Sequence, residues 1–150
     1  MTESSQDTLV EEIFIAAPPE RVFAALAEPE QLLAWWGDPR QYWCTSWTSD
    51  LRVGGAWRSE GTSVQGGAFV VEGVFIEIDA PRTLAFTWNA SWTEPVELTA
   101  RIVLESRDGG TWLSWTMSGF RGHPKALGDH RGGLPSVVAW LRVYAERAKG

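Results

Sequence analysis

"VELTARIVLESRDGGTWLSWTMSGF", residues 96–120, decides the fold of this chain. Over residues 96–104 apolar side chains occupy every second position, and mostly polar side chains lie between them. A period of two is typical of a β-strand that buries one face. The turn sequence at residues 107–110 then predicts a hairpin. On the returning strand Trp115 and Met117 share one face, so the stretch predicts two antiparallel strands that cover a core.

The same pattern extends toward the N-terminus, with turn residues at regular intervals. It predicts a first strand before two short helices and four more strands between those helices and the hairpin. The predicted strands cover residues 8–17, 42–53, 56–61, 66–81 and 83–88.

Three helices complete the pattern. Residues 19–36 begin with Pro-Glu, a typical helix start, and Pro29 divides them into two short helices. Residues 134–148 carry apolar side chains at steps of three and four, with Pro135 near the start. Helices segregated from an antiparallel sheet define an α+β fold. We therefore expect a curved sheet of six to seven strands, with one long C-terminal helix covering a face.

Composition limits the class of protein. With 150 residues and no dividing linker, we expect a disordered tail at residues 1–7 and a single domain at 8–150. The net charge of −6 disfavours a nucleic-acid partner. Neither a membrane span nor a signal peptide is predicted. Cys44 is the only cysteine, which excludes an internal disulfide and predicts a cytoplasmic location.

The unusual feature of the composition is ten tryptophans. Three features would account for such a surplus: a large hydrophobic core, an apolar interface with a partner, or a cavity lined by indoles. Trp35 and Trp36 are adjacent on a predicted helix, where neighbouring side chains point about 100° apart. One core face cannot easily bury both indoles. We expect one of them to anchor the short helix and the other to help form the entrance to a cavity.

Several stretches, taken in order, resemble the SRPBCC superfamily. Within it, the chain is most similar to the family named after the activator of Hsp90 ATPase, in its short free-standing bacterial form. The resemblance covers the chain from about Val10 to Tyr144, and it implies a helix-grip fold with a cavity between the sheet and the last helix. The stretches are "IAAPPERVFAALAEPEQLLAWWGDP" (15–39), "DLRVGGAWRSEG" (50–61), "VEGVFIEIDAPRTLAFTW" (71–88), "GTWLSWTMSGF" (110–120), "HRGG" (130–133) and "WLRVY" (140–144).

The chain departs from the family pattern at two positions. Members usually carry Gly-Trp at the entrance to the last helix, whereas Gly133 is followed by Leu134 here. A position in the last strand that is often histidine corresponds to Met117. Both changes make the expected cavity more apolar and weigh against chemistry that depends on that histidine. The separate N-terminal domain of the eukaryotic activator is also not found in this sequence.

The expected ligand contacts come from inward strand positions, the short-helix tryptophans and the last helix. Indoles offer a flat apolar surface with one N–H donor, which suits a ring-shaped ligand. Filling of the core is the alternative for each residue. The candidate ligand-binding residues are Trp35, Trp36, Trp43, Trp57, Phe69, Phe75, Trp88, Trp115, Met117, His130, Leu134, Val138 and Leu141.

Other polar and aromatic residues have weaker assignments. Trp92 and Trp112 either cap the cavity or form a patch for a homodimer. His123 and His130 are expected in a loop before the last helix, where His130 fixes the loop or contacts ligand. Their spacing does not match a metal site. Glu60 or Arg58 would anchor a polar ligand group if one of them turned inward; exposure is the alternative.

Three functions follow as hypotheses. The first is non-catalytic, cofactor-free binding of a small hydrophobic or aromatic molecule under the C-terminal helix. The second, implied by the family name, is action on an Hsp90-type chaperone ATPase, with a part in the stress response. The third is a cofactor-independent enzyme similar to the cyclases and dehydratases of the superfamily. It would require a general acid or base in the cavity, with His130 or Glu60 as candidates.

Overall fold

The computed structural model describes residues 7–92 and 95–147. It shows a curled antiparallel sheet that wraps as a half-barrel around a long C-terminal helix, as the sequence predicts. The elements in chain order are β1 (Thr8–Ile15), α1 (Pro19–Ala27), α2 (Pro29–Trp35), β2 (Gly37–Asp38), β3 (Tyr42–Ser49), β4 (Ala56–Ser63), β5 (Ala68–Asp79), β6 (Thr83–Ala90), β7 (Leu98–Arg107), β8 (Gly110–Ser118) and α3 (Pro124–Arg147).

The sheet has eight strands rather than the six to seven expected, in the order β1-β8-β7-β6-β5-β4-β3-β2. The additional strand is β2, whose two residues, Gly37 and Asp38, pair with Trp43 and Tyr42. The sequence suggested only the end of a helix there, because two residues are too few for any periodicity. Helices α1 and α2 carry the chain from β1, at one edge of the sheet, to β2 at the other.

The hairpin of β7 and β8 is confirmed. Arg107 pairs with Gly110, and Asp108 and Gly109 both have positive φ angles of 52° and 79°. Two positive φ angles in a two-residue turn match the twist of the flanking strands, which is why Asp-Gly is favoured there. Along β7 the predicted apolar face is buried from Leu98 onward, and the alternate positions are more exposed.

Helix α3 begins ten residues earlier than predicted, at Pro124 instead of Leu134. Proline suits the first turn of a helix because its missing N–H needs no partner there. Pro135, expected near the start, lies inside the helix. The segment that the sequence suggested was a loop is therefore helical, and it places His130 and Gly133 on the helix.

The C-terminal half of α3 is fixed to the other elements by long-range contacts. Tyr144 donates a hydrogen bond to Gln31 of α2 (3.0 Å), and Glu146 accepts one from the backbone N–H of Ala16 (2.9 Å). Leu141 and Ala145 are fully buried. This half of the helix belongs to the core, which leaves the N-terminal half to cover the remaining concave surface of the sheet.

The start of the described chain is also held in place. Asp7, which the sequence assigned to the tail, accepts backbone hydrogen bonds from Gly119 and Phe120 (3.1 Å each) through its carbonyl. Residues 1–6 of the predicted tail lie outside the described residues. Within residues 7–92 and 95–147, none of the helices combines the length and apolar character that crossing a lipid bilayer requires.

Candidate functional site: an indole-lined cavity beneath α3

The two adjacent tryptophans of α2 have different surroundings. Trp35 is buried, and its indole N–H donates to the carbonyl of Ala25 (2.9 Å), which fixes α2 to α1. Trp36 follows the last turn of α2 and points toward the sheet. Its ring centroid lies 5.2 to 5.9 Å from those of Trp35, Trp47, Trp88 and Trp115. Trp36 is therefore the centre of a cluster of five indoles.

A cavity of about 430 Å³ adjoins this cluster, between the sheet and the N-terminal half of α3. Its wall is mostly aromatic and aliphatic. The side chains and backbone that line it belong to Trp36, Tyr42, Cys44, Trp47, Ser59, Ser63, Gly67, Ala68, Phe69, Val71, Trp88, Trp92, Trp115, Met117, Asp129, His130, Gly133, Leu134 and Val137.

The mouth of the cavity is marked by the lining residues that are exposed. These are Gly67 and Ala68 at the β4–β5 turn, Trp92 after β6, and Asp129 and Gly133 on α3. Because Gly133 has no side chain, α3 presents no wall at that point. Trp92 is 48% exposed, and the ring of Phe69 meets its indole edge-on at 5.9 Å.

A second, much smaller cavity of about 20 Å³ lies on the other side of the indole cluster. Trp57 and Phe75, both buried, line this one and not the larger cavity. The Trp57 indole N–H donates to the carbonyl of Thr87 (3.2 Å). A space of this size holds one water molecule at most, so these two side chains serve the core.

Both ring nitrogens of His130 form hydrogen bonds within the protein, and one of these bonds joins α3 to the sheet. Nε2 lies 3.0 Å from the indole nitrogen of Trp88, which can only donate, so Nε2 accepts. Nδ1 then carries the hydrogen and donates to the carbonyl of Ala126 (2.8 Å). The imidazole also contacts the rings of Trp92 and Phe120, at 6.0 and 5.5 Å. With both nitrogens engaged inside the protein, His130 is poorly placed to act as a base.

Two further titratable side chains of the wall, Tyr42 and Cys44, are uncharged at neutral pH. Burial raises the pKa of Tyr42 to about 12, with a hydrogen bond to Trp36 acting in the opposite direction. Burial also raises the pKa of the Cys44 thiol to about 11. Both groups stay protonated, so neither supplies a nucleophile or a base. In the part of the chain that the structure describes, no three His, Cys, Asp or Glu side chains group closely enough to hold a metal ion.

The family model for "Activator of Hsp90 ATPase homolog 1-like protein" matches residues 16–146. The chain belongs to this family. Among curated proteins no significant match was found.

Solved structures of other proteins share the fold. A protein from Chromobacterium violaceum is 24% identical, with 93% of this chain and 98% of that chain covered and a TM-score of 0.81. One from Mycobacterium smegmatis is 21% identical, with 100% and 94% covered and a TM-score of 0.80. An activator-like protein from Aeromonas hydrophila is 23% identical, with 94% and 93% covered and a TM-score of 0.75. At these identities the likeness establishes the fold alone.

In this family member, the structure brings about half of the candidate residues together around the large cavity. Five others lie in the core and do not line this cavity: Trp35, Trp57, Phe75 and the α3 residues Val138 and Leu141. Trp43 lies on the outer face of the sheet. The candidates that line the cavity are Trp36, Phe69, Trp88, Trp115, Met117, His130 and Leu134.

Trp43 faces outward because β3 contains a bulge. Cys44 pairs with Gly61 and Ser46 with Glu60, so Thr45 is an extra residue without a partner. An extra residue reverses the alternation of faces beyond it. Cys44 and Trp47, three positions apart, therefore both point into the cavity, while Trp43 is 39% exposed. Uninterrupted alternation would have placed Trp43 and Trp47 on the same face.

Four residues with weaker assignments, Arg58, Glu60, Trp112 and His123, do not line the cavity. Arg58 and Glu60 are both exposed on the outer face of β4, where Arg58 pairs with Glu60 (2.9 Å) and with Glu72 (2.8 Å). Neither turns inward. Trp112 lies away from the cavity, with the guanidinium of Arg107 5.0 Å above its ring. His123 precedes α3 and does not line the cavity.

The sequence interpretation missed the polar part of the wall. Tyr42 and Cys44 of β3, and Ser59 and Ser63 of β4, were not among the candidates, because small polar residues in strands are usually exposed. One signal was available for Ser59. It lies two positions after Trp57, so an inward Trp57 places Ser59 inward as well.

Cys44 should react slowly with thiol reagents while the protein is folded. A pKa of about 11 leaves roughly 0.1% thiolate at pH 8, against roughly 10% for the ordinary value of 9.0. We expect alkylation by iodoacetamide on the order of 100-fold slower in buffer than in denaturant, measured by mass spectrometry. Equal rates in the two conditions would contradict the burial of this thiol.

Proposed function

We propose that this protein binds a small, uncharged hydrophobic or aromatic molecule in the cavity beneath α3 and performs no chemistry on it. The observation that carries the proposal is the cavity itself, which is about 430 Å³ in volume and has five indoles in its wall. Ligand sites are typically about 300–1,000 Å³ and mostly apolar, with a few polar groups that fix orientation. The cavity fits this description in both volume and lining.

The chemistry of the wall favours binding over catalysis. A general acid or base needs a pKa near the working pH. Tyr42 and Cys44 have pKa values raised well above neutrality, and His130 uses both nitrogens within the protein. Asp129 lies at the mouth, near Lys125 (3.7 Å). The affinity would come from apolar surface removed from water, at about 25 cal/mol per Å².

A cytoplasmic location forms part of the proposal, because a chain with one cysteine has no disulfide to maintain. Trp92 fits the role of a cap, since it lies at the cavity mouth. A protein that binds its ligand in an apolar cavity of this kind would discriminate only modestly between similar ligands. One methylene group changes the binding free energy by only about 1–3 kcal/mol.

Filling part of the cavity should weaken binding without unfolding the protein. Val137→Phe places a larger side chain where α3 faces the cavity, so we expect affinity for a hydrophobic ligand such as indane to fall at least about tenfold. The matched control is Val143→Phe, on the same helix but 49% exposed. It should change affinity less than about twofold. Isothermal titration calorimetry measures both.

The outcomes separate the hypotheses. Equal affinities in the two variants would place the bound ligand outside the cavity. If none of a panel of hydrophobic ligands binds the unmodified protein, the cavity proposal fails. Action on a chaperone ATPase, which the family name suggests, then becomes the better interpretation.

A further inference from the structure

The cavity has two chemically different walls. On one side β6, β8 and α3 contribute apolar and aromatic groups, among them Met117 and Leu134. On the other side the neighbouring strands β3 and β4 contribute hydroxyl and thiol groups. These belong to Tyr42, Cys44, Ser59 and Ser63. On α3, Asp129 lies at the mouth and both ring nitrogens of His130 are engaged within the protein, so a ligand inside the cavity meets available hydroxyl and thiol groups along the β3–β4 edge.

Ser59 is the most deeply buried member of the polar wall. It is 3% exposed and lies on the inner face of β4, between the inward positions of Trp57 and Gly61. Among the described residues, no side chain or backbone group forms a hydrogen bond with its hydroxyl. Ser63, on the same strand, differs because its hydroxyl accepts a hydrogen bond from the backbone N–H of Gly67 (3.3 Å).

The hydroxyl of Ser59 is open to the cavity although most of the residue is buried. A ligand that covers this hydroxyl removes it from water, and only a hydrogen bond to the ligand recovers the free energy that this costs. The Trp115 indole N–H, in the opposite wall, is buried without a partner among the described residues, so it is not open to the cavity. The hydroxyl of Ser59 faces the cavity, where it is a stronger hydrogen-bond donor than the neighbouring thiol of Cys44.

The charge of the wall limits the ligand further. Among the described residues that line the cavity, Asp129 is the only one that carries a full charge, and it is negative. Within residues 7–92 and 95–147, no lysine or arginine lines the space. A carboxylate ligand would therefore bury its charge without a cation to compensate it, which is strongly unfavourable.

We propose that Ser59 orients the ligand by donating a hydrogen bond to an uncharged oxygen on a ring compound, and that the cavity discriminates against carboxylates. This inference rests on the proposed function and narrows it to neutral, oxygen-bearing ring compounds such as cyclic ketones. Fatty acids and aromatic acids would be poor ligands because of their carboxylate groups, although most of their surface is as apolar as that of a cyclic ketone.

The test compares indane, indanone and indane carboxylate, which share one ring system. Binding is followed at pH 7.5 by the indole N–H signals in nitrogen-15 NMR spectra, which also report whether each variant is folded. We expect indanone to bind at least about tenfold more tightly than the carboxylate. Ser59→Ala should weaken indanone binding about fivefold and change indane binding less than twofold. Ser63→Ala is the matched control and should leave the indanone preference intact.

Each outcome has a defined meaning. If indane binds but Ser59→Ala leaves indanone binding unchanged, this inference is wrong and the proposed function stands. If indane carboxylate binds as tightly as indanone, the inference is also wrong and the proposed function stands. This comparison uses the unmodified protein. If none of the three compounds shifts the cavity indoles, the proposed function itself fails.

Discussion

Replacing Trp36 with alanine is expected to lower the free energy of unfolding by about 3–5 kcal/mol. The ring contacts four other indoles, with centroid distances of 5.2 Å to Trp35, 5.4 Å to Trp47, 5.9 Å to Trp88 and 5.8 Å to Trp115. Trp36 also borders both cavities. Its removal would join them into one larger space, and the surrounding rings could not collapse into it without losing their contacts with the sheet.

The matched control is Trp43→Ala. It removes the same side chain at a position seven residues away that is 39% exposed on the outer face of the sheet. We expect this variant to lose less than about 1.5 kcal/mol, because much of the ring is already in water. Urea unfolding followed by circular dichroism measures both. A loss of similar size in the two variants would show that the bulge in β3 does not separate these indoles.

His130→Ala is expected to be the second strongly destabilising change, at about 3 kcal/mol. The substitution removes a buried ring that contacts Trp88, Trp92 and Phe120. It also leaves the indole N–H of Trp88 without its acceptor. An unpaired buried donor costs about 1–3 kcal/mol, which adds to the loss of packing.

A double-mutant cycle isolates the hydrogen bond from the packing. In a Trp88→Phe background there is no N–H to leave unpaired, so His130→Ala should cost about 1 kcal/mol less than in the unmodified protein. If the cost is the same in both backgrounds, the contact between His130 and Trp88 contributes packing only. In that case His130 would be available for another role in the cavity.

The hairpin of β7 and β8 shows what the sequence predicts well. Its alternation is uninterrupted, and Asp108-Gly109 requires a tight turn, so local pattern and final structure agree. Local consistency of this kind is the best basis for prediction from one sequence. The order of the elements followed from the same kind of pattern, as did the position of α3 across the sheet.

The start of α3 was not predictable in the same way. Residues 124–133 contain three glycines and a histidine, and Pro135 follows, so local propensity favours a loop. The structure makes this segment helical, and tertiary contacts favour that conformation, above all the hydrogen bond between His130 and the indole N–H of Trp88 in β6. Such contacts between distant residues leave no periodic trace in the sequence.

The site was only partly predictable for a similar reason. The aromatic side of the wall is visible in the composition, and Trp88, Trp115 and Met117 follow from simple alternation. The part of the polar side that β3 contributes does not follow from simple alternation, because the bulge at Thr45 reverses the faces of that strand. A single extra residue thereby moves Trp43 outward and brings Cys44 and Trp47 to the cavity together.

Contacts between protons of a bound ligand and the protein, observed as intermolecular nuclear Overhauser effects, test directly whether the space beneath α3 is a binding site. With indane and protein labelled at its methyl groups, we expect contacts to the methyl groups of Met117, Leu134 and Val137, which line the cavity. Contacts confined to outer-face methyl groups, such as those of Val10 and Val103, would contradict the proposal.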